Sequence, residues 1–220
     1  MNAIIEKNKN ITVVYVSGKP ISEPWIEDNI KSIIHAWEPG SMGGKSLGKI
    51  VFGMVNPSGK MPITTARSVG QLTMVYNHKP TNYIHKYAFE KTKPLYHFGF
   101  GLSYTTFSIS KPILSRSSWD GSGTLNVEVT RKNIGDREGK ETVQLYIRDE
   151  YSSITRPVLE LKGYKKINLE AGETKQVSFS LSASDAPSPL LLWERPAAGS
   201  CCSSGHSEHA HTHCGSYPLW

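Results

Sequence analysis

Cysteine is missing from the first 200 residues of this 220-residue chain; its three copies, Cys201, Cys202 and Cys214, fall in the last twenty. The body therefore has no disulfide framework and no thiol chemistry. Also missing is any apolar stretch near the ~20 residues of a membrane span, so no membrane partner is expected. Blocks of like charge are absent as well. The net charge is +6 and the pI ≈ 9.1, but Lys and Arg are scattered. That distribution reads as solvated surface rather than a nucleic-acid footprint, and no nucleic-acid partner is expected. The first ten residues, MNAIIEKNKN, lack the apolar core of a signal peptide. Nothing in this chain directs export, although a parent protein in which Met1 is an internal start can still be periplasmic or secreted. What is present, 38% hydrophobic and 20% charged residues, is the composition of a globular chain of one or two domains.

The pattern along the chain changes twice. Ile11 to Ser17 is a continuous β-branched run, as in a strand buried on both faces of a parallel sheet. Ser22 offers an N-cap and Pro24 suits a first helical turn. Ile26, Ile30, Ile33, Ile34 and Trp37 recur at helical spacing, which predicts one helix ended by Pro39-Gly40. A second helix is expected over 46–52 with Leu47, Ile50 and Val51 inward, followed by an Asn56-Pro57-Ser58-Gly59 turn. One parallel strand cannot make a sheet, so the missing strands must come from elsewhere. From Arg67 to Phe107 aromatics are dense (among them Tyr83, Tyr87, Phe89, Tyr96 and Phe98) and periodicity is lost, the mark of a long ordered connection. After Phe107 the period becomes two. Leu125, Val127 and Val129, then Val143, Leu145 and Ile147, then Val177, Phe179 and Leu181 alternate with polar residues. Five strands are predicted, near 107–114, 124–132, 141–148, 158–168 and 174–181, as in an antiparallel β-sandwich. Alternation stops near Ser184, and the remainder is rich in Pro, Ser, Ala, Cys and His.

Several segments point to one family. They are SGKP (17–20), EPGSMGGKSLGKIVFGMVNPSGKMPIT (38–64), RSVGQ (67–71), YNHKPT (76–81), PLYHFGFGLSYTTF (94–107), EGKETVQLYIRD (138–149) and RPVLELKGYKKINLEAGET (156–174). In this order they resemble the C-terminal half of family 3 glycoside hydrolases of the β-glucosidase and β-xylosidase type. The resemblance implies an α+β chain in two parts: the end of an α/β (parallel-sheet) sandwich domain over 1–66, an aromatic connector over 67–106, and an immunoglobulin-like fibronectin type III β-sandwich over 107–185, incomplete at its C-terminus. Residues 186–220 form a Cys/His tail outside the family pattern, expected to be disordered. The resemblance also implies retaining hydrolysis of terminal β-glucosyl or β-xylosyl residues, with an oligosaccharide or β-glucoside as substrate and no cofactor. That chemistry needs two carboxyls about 5–5.5 Å apart. In the family the nucleophilic Asp comes from a barrel of about 250 residues, and the acid/base Glu from upstream of the strand matching Ile11–Ser17. Neither motif occurs here, so no catalytic residue carries over. The chain also has Met42 where family members usually have Glu.

Four features are weighed against plainer readings. Residues 39–46 nearly spell a phosphate-binding loop, but Pro39 replaces its first Gly and a helix is expected to precede it, so a helix-start loop is the better reading. The connector rings with Asn77 and His78 either border a sugar site or serve packing; Asn77 and His78 are the substrate-adjacent candidates. Glu38 beside the Gly-rich loop is read as a solvated carboxylate. His206, His209, His211, His213 and Cys214 have metal-binding chemistry, but their crowding favours adventitious affinity over a built site. A non-catalytic carbohydrate-binding or interaction module is the alternative function. Unpaired strand edges should favour self-association.

Overall fold

The computed structural model describes residues 1–72, 74–80, 89–149 and 154–185. It divides into two compact units, one of Met1–Val55 with Met61–Gly99, the other of Asn56–Lys60 with residues from Phe100 onward.

The first unit is α/β. A short helix α1 (Asn2–Lys7) precedes strand β1 (Thr12–Val16), the apolar run expected to be a strand. Helix α2 (Pro24–Asn29) follows, with Pro24 in its first turn; Glu23, not Ser22, is its N-cap. The predicted single helix ending at Trp37 is wrong beyond Asn29. Ile30 is already extended (φ −113°, ψ 128°), and Ser32–Trp37 is strand β2, parallel to β1 with Tyr15 opposite His35. The misreading has a physical cause. A strand of a parallel sheet is apolar without alternation, so Ile33, Ile34 and Trp37 keep helical spacing by coincidence with Ile26 and Ile30. The sheet thus has two strands among the described residues, not one. Helix α3 (Gly43–Val51) ends in a Schellman motif: Gly53 N–H bonds to Ile50 O (2.9 Å), Met54 N–H to Lys49 O (2.8 Å), and Gly53 has φ +73°. Leu47 and Ile50 are half-buried as expected of an inward stripe, but Val51 is exposed.

The second unit is antiparallel β. Strands β3 (Phe107–Ile109) and β4 (Ile113–Leu114) pair with opposite ends of one edge of β5 (Leu125–Asn133), and β8 (Thr174–Leu181) pairs with β5's other edge. The expected single strand over 107–114 is broken at Lys111-Pro112, where Pro112 has no N–H for a ladder. Strands β6 (Gly139–Ile147) and β7 (Glu160–Leu169) form a second sheet. The inward residues of period two make the core: Leu125, Val127, Ile147 and Leu181 pack with Trp119, and Val129, Val143, Val177 and Phe179 form a second cluster. The other predicted strands agree with β5 to β8 within two residues.

Polar residues also occupy this core. Arg131 and Glu141 are both buried and bonded at 2.7 Å, Lys60 Nζ lies 3.2 Å from the other Glu141 oxygen, and the Arg131 guanidinium sits 5.6 Å from the Phe107 ring centroid. Asn133, fully buried, accepts from Thr105 Oγ1 (2.6 Å) and donates to the carbonyls of Arg137 and Leu169. The Asn56 side chain donates to Glu138 O and accepts from Ser103 Oγ and Tyr104 N–H. The NPSG turn and the GLSYTTF segment thus fasten onto the β unit.

Candidate functional site

The first unit gathers its chemically able side chains near the carboxyl ends of β1 and β2, the end at which open parallel sheets bind ligands. Tyr15 and His35 are paired in register and share a face, with ring centroids 5.0 Å apart. Tyr96 reaches this face because its segment is held by Thr65: Thr65 N–H donates to Tyr96 O and Leu95 N–H to Thr65 O, both at 2.8 Å. Its ring stands edge-on to His35 (5.3 Å, 80°), and its hydroxyl donates to Glu27 Oε2 of α2. Trp37 closes the strand with its ring 6.3 Å from His35 and a left-handed backbone (φ +55°), uncommon outside glycine.

Burial sets the electrostatics of this cluster. It pushes the Tyr96 hydroxyl far above the ordinary phenol range, and the Glu27 carboxylate that it bonds adds to that shift. Tyr15 is raised for the same reasons, burial first and then Glu23 and Glu27. Burial holds His35 below the usual histidine value, and His35 Nε2 has no hydrogen-bond partner among the described residues. The arrangement is two phenols held protonated by burial, an imidazole whose protonation burial opposes, and the Glu27 side chain bonded to a phenol. It can accept and donate hydrogen bonds.

Polar contacts tie the described part of the connector together. Arg67 Nε binds Glu90 Oε1 (3.0 Å); buried Gln71 accepts from Arg67 N–H and donates to Lys91 O (2.8 Å). Tyr76 stacks on Phe98 (4.3 Å, 16°). Beside it Asn77 is exposed, and half-buried His78 places Nδ1 2.9 Å from Lys79 O. These two candidates are neighbours of the ring pair. Residues 81–88, with Tyr83 and Tyr87, lie outside the described residues, as do His206, His209, His211, His213 and Cys214. Among the described residues no group of three His, Cys, Asp or Glu could hold a metal.

Strand β2, not a helix, precedes the 39–46 loop, so its context is strand–loop–helix after all. Even so, a Cβ on Gly43 would meet the Pro39 ring at 2.7 Å, and Gly43 N–H is bonded to Gly40 O (3.0 Å). The proline fills the bend and an amide at the helix start is already used, as in a packed helix-start turn. Glu38 is exposed and lies over Gly18. Reading Ser32–Trp37 as a helix hid His35: as a strand, the parity of Ile33, His35 and Trp37 would have placed it beside Tyr15.

Comparison with known proteins gives the family. Residues 1–104 match the glycosyl hydrolase family 3 C-terminal domain and residues 141–188 a fibronectin type III-like domain. The chain is 42% identical over 185 residues to a β-xylosidase of Formosa agariphila and 40% over 193 residues to a periplasmic β-glucosidase of Salmonella typhimurium, covering 82% of this chain and 25% of each relative. Among solved structures it is similar to a β-glucosidase of Erythrobacter marinus (TM-score 0.76, 44% identity, 78% of this chain and 23% of that one). It is also similar to a Listeria innocua β-glucosidase in complex with glucose (TM-score 0.78, 32% identity, 84% and 27%). The chain spans about a quarter of the length of these relatives. It belongs to glycosyl hydrolase family 3 and carries that family's C-terminal domain and a fibronectin type III-like domain.

Proposed function

We propose that this family 3 chain is the C-terminal part of a retaining, exo-acting β-glycosidase and does not turn over substrate alone. In the parent enzyme the reaction removes terminal β-glucosyl or β-xylosyl residues from oligosaccharides. The observation that carries the reading is the chain's share of its relatives, about a quarter. The chemistry needs two carboxyls about 5–5.5 Å apart and, in this family, a barrel of about 250 residues. A 220-residue chain whose described parts are an α/β unit and a β unit has no room for that barrel.

In this reading residues 1–66 are the end of the α/β sandwich domain, 67–106 the connector, 107–185 a fibronectin type III-like sandwich short of its closing strands, and 186–220 a segment foreign to the family. The first unit supplies scaffold next to the substrate, and Asn77 and His78 are the side chains assigned to the sugar. The test is hydrolysis of 4-nitrophenyl β-glucoside and β-xyloside by the purified chain. Background rates are expected. Robust turnover, lost on changing one of the chain's own carboxylates, overturns the reading.

The fully exposed Phe89 ring favours a second reading, a non-catalytic carbohydrate-binding module, since sugars stack on aromatic faces. Titration with cello- and xylo-oligosaccharides decides it; no binding at millimolar sugar rejects it.

A further inference from the structure

We infer that the outward face of the β6–β7 sheet is a binding platform for an acidic oligosaccharide, a β-linked xylose or glucose chain that carries a uronic acid. The choice of sugar rests on the proposed function; the platform does not.

Alternation fixes what this face carries. Val143 lies in the core, and a Cβ on Gly163 would meet Phe179 Cδ1 of β8 at 3.2 Å. Their neighbours along each strand therefore point away from the core. Thr142 pairs with Lys166 across the ladder, and Gln144 with Tyr164. Tyr146 stands on the same side, because its hydroxyl donates to Gln144 Oε1 at 2.8 Å. Tyr164 is 68% exposed, and Lys140 and Lys166 are exposed; Thr142, Gln144 and Tyr146 are half-buried.

The other sheet differs. β5 and β8 turn no aromatic side chain outward, and their polar groups bond to each other: Gln176 Nε2 donates to Glu128 Oε2 (2.7 Å) and Ser180 Oγ to Asn126 Oδ1 (2.8 Å). On β6–β7 two phenols lie toward one end. Lys140 and Lys166 lie toward the other, and neither has an acidic partner among the described residues. Glu138 and Glu160, at the borders, are already bonded, to Asn168 Nδ2 and Lys162 Nζ, each at 2.8 Å.

This combination selects the ligand. A phenol offers a rigid apolar face and a polar tip at little conformational cost. The C–H face of a sugar meets the ring. Its hydroxyls meet Thr142 and the Gln144 amide, whose Nε2 has no bond among the described residues. A sheet face is open, so it suits an extended chain better than an enclosed monosaccharide, and from Tyr146 to Lys140 the strand runs about 20 Å. The two lysines ask for an anion at the far end, and a uronate carboxylate supplies it. The relatives named β-xylosidase and β-glucosidase point to xylose or glucose for the rest of the chain. Single-stranded nucleic acid also stacks on rings, but it is held by a basic groove that neutralises successive phosphates. Here the unpaired cations sit apart from the rings.

The test titrates the full chain, by calorimetry and NMR, with a xylo-oligosaccharide bearing a methylglucuronic acid and with the neutral one of the same length. At low salt the acidic sugar is expected to bind about fivefold more tightly, and high salt should erase the difference. Tyr164→Ala should weaken both by about tenfold, the worth of one stacked ring, while Tyr164→Phe, which keeps the ring, should retain binding. Lys140→Gln with Lys166→Gln should bring the acidic sugar down to the neutral one and leave the neutral one unchanged. These positions are exposed, so far-UV circular dichroism should not move, and Gln176→Ala on the other sheet should change neither affinity. Binding of neither sugar at millimolar concentration, equal affinity for the two, indifference to Tyr164→Ala, or tighter binding of poly-uridylate overturns the inference. Hydrolysis of 4-nitrophenyl β-xyloside is read on the same samples. Turnover with Tyr164-dependent binding overturns the proposed function and upholds the platform; background rates without binding do the reverse.

Discussion

Glu141 is where the β unit is most easily broken. Its carboxylate lies between two cations, Arg131 Nη2 at 2.7 Å and Lys60 Nζ at 3.2 Å, with side-chain exposures of 10%, 6% and 17% for Glu141, Arg131 and Lys60. The triad carries net charge +1, so its members are not equivalent. Glu141→Gln keeps the shape but leaves two buried cations facing a neutral amide. Lys60 can lean toward water and keeps its bond to Gly101 O (2.9 Å). Arg131 cannot retreat; burial already opposes its charge, with Glu141 acting the other way, and its Nε has no partner among the described residues. Removing one partner of a buried pair costs about 3–5 kcal/mol, so at least ~3 kcal/mol is expected for Glu141→Gln.

Lys60→Met leaves a balanced Arg131–Glu141 pair and should cost no more than about 1 kcal/mol, in the range of a solvent-screened ion pair. Arg131→Met falls between, because it also removes the guanidinium from the Phe107 ring. Replacing Arg131 by Met and Glu141 by Leu together should recover most of the loss, since apolar replacement of a buried pair is often neutral. The assay is urea unfolding of the full chain by circular dichroism, with hydrogen–deuterium exchange of peptides from 125–147 to localise the change. With a slope of about 2 kcal/mol/M, the Glu141→Gln midpoint should fall by about 1.5 M. A Glu141→Gln loss under about 1 kcal/mol, or a Lys60→Met loss equal to it, would refute the reasoning.

Asn133→Ala should destabilise by roughly 2–3 kcal/mol in the same assay, because the carbonyls of Arg137 and Leu169 lose a donor in a dry core; Asn133→Asp should be worse, since it aims a carboxylate oxygen at both. Two glycines should respond with opposite sign in thermal melts. Gly139→Ala would put a Cβ 2.7 Å from Thr105 Cγ2 and 2.8 Å from Phe107 Cζ, costing about 1–3 kcal/mol, whereas Gly44→Ala in α3 meets nothing within 4 Å and should gain up to about 1 kcal/mol. Burial lowers His35 and His97 from the ordinary 6.5. The unfolded chain therefore binds protons first as pH falls through 6.5, and stability should drop below that pH until the folded-state values are passed; His35→Gln with His97→Gln should flatten the slope of stability between pH 7.5 and 5. Calorimetry with Zn²⁺ should show weak binding that vanishes when residues 201–220 are deleted, and identical isotherms would reject chelation by His206, His209, His211, His213 and Cys214.

What the sequence disclosed depended on how each element is buried. Strands β5, β6 and β8 each turn one face to the core, so alternation marks them within two residues. The same parity carries more than the apolar residues: Leu125, Val127 and Val129 continue inward to Arg131 and Asn133, and Val143 runs back to Glu141. Two charges of opposite sign at inward positions of consecutive strands, one in each sheet, are a legible buried pair, and the triad could have been read from residue order alone, except for Lys60, which arrives from a turn 81 residues before Glu141 in the chain. The α/β unit was harder. A parallel strand has no parity signal, and Ile30 serves both α2 and the approach to β2, so one apolar spacing fits two structures. His35 was lost with that error. The clue available was local: Ile33 and Ile34 are adjacent and β-branched, a pair that suits a strand better than a helix. The Tyr15–His35–Tyr96–Glu27 cluster lies further from reach, because it joins four segments through one hydroxyl–carboxylate bond and two ring contacts. Its His35 Nε2 is buried with no hydrogen-bond partner among the described residues. His35→Phe, which keeps a ring in place and removes the unpaired nitrogen, is therefore expected to cost under about 1 kcal/mol in the urea assay, and a larger loss would show that the nitrogen is bonded in the folded chain.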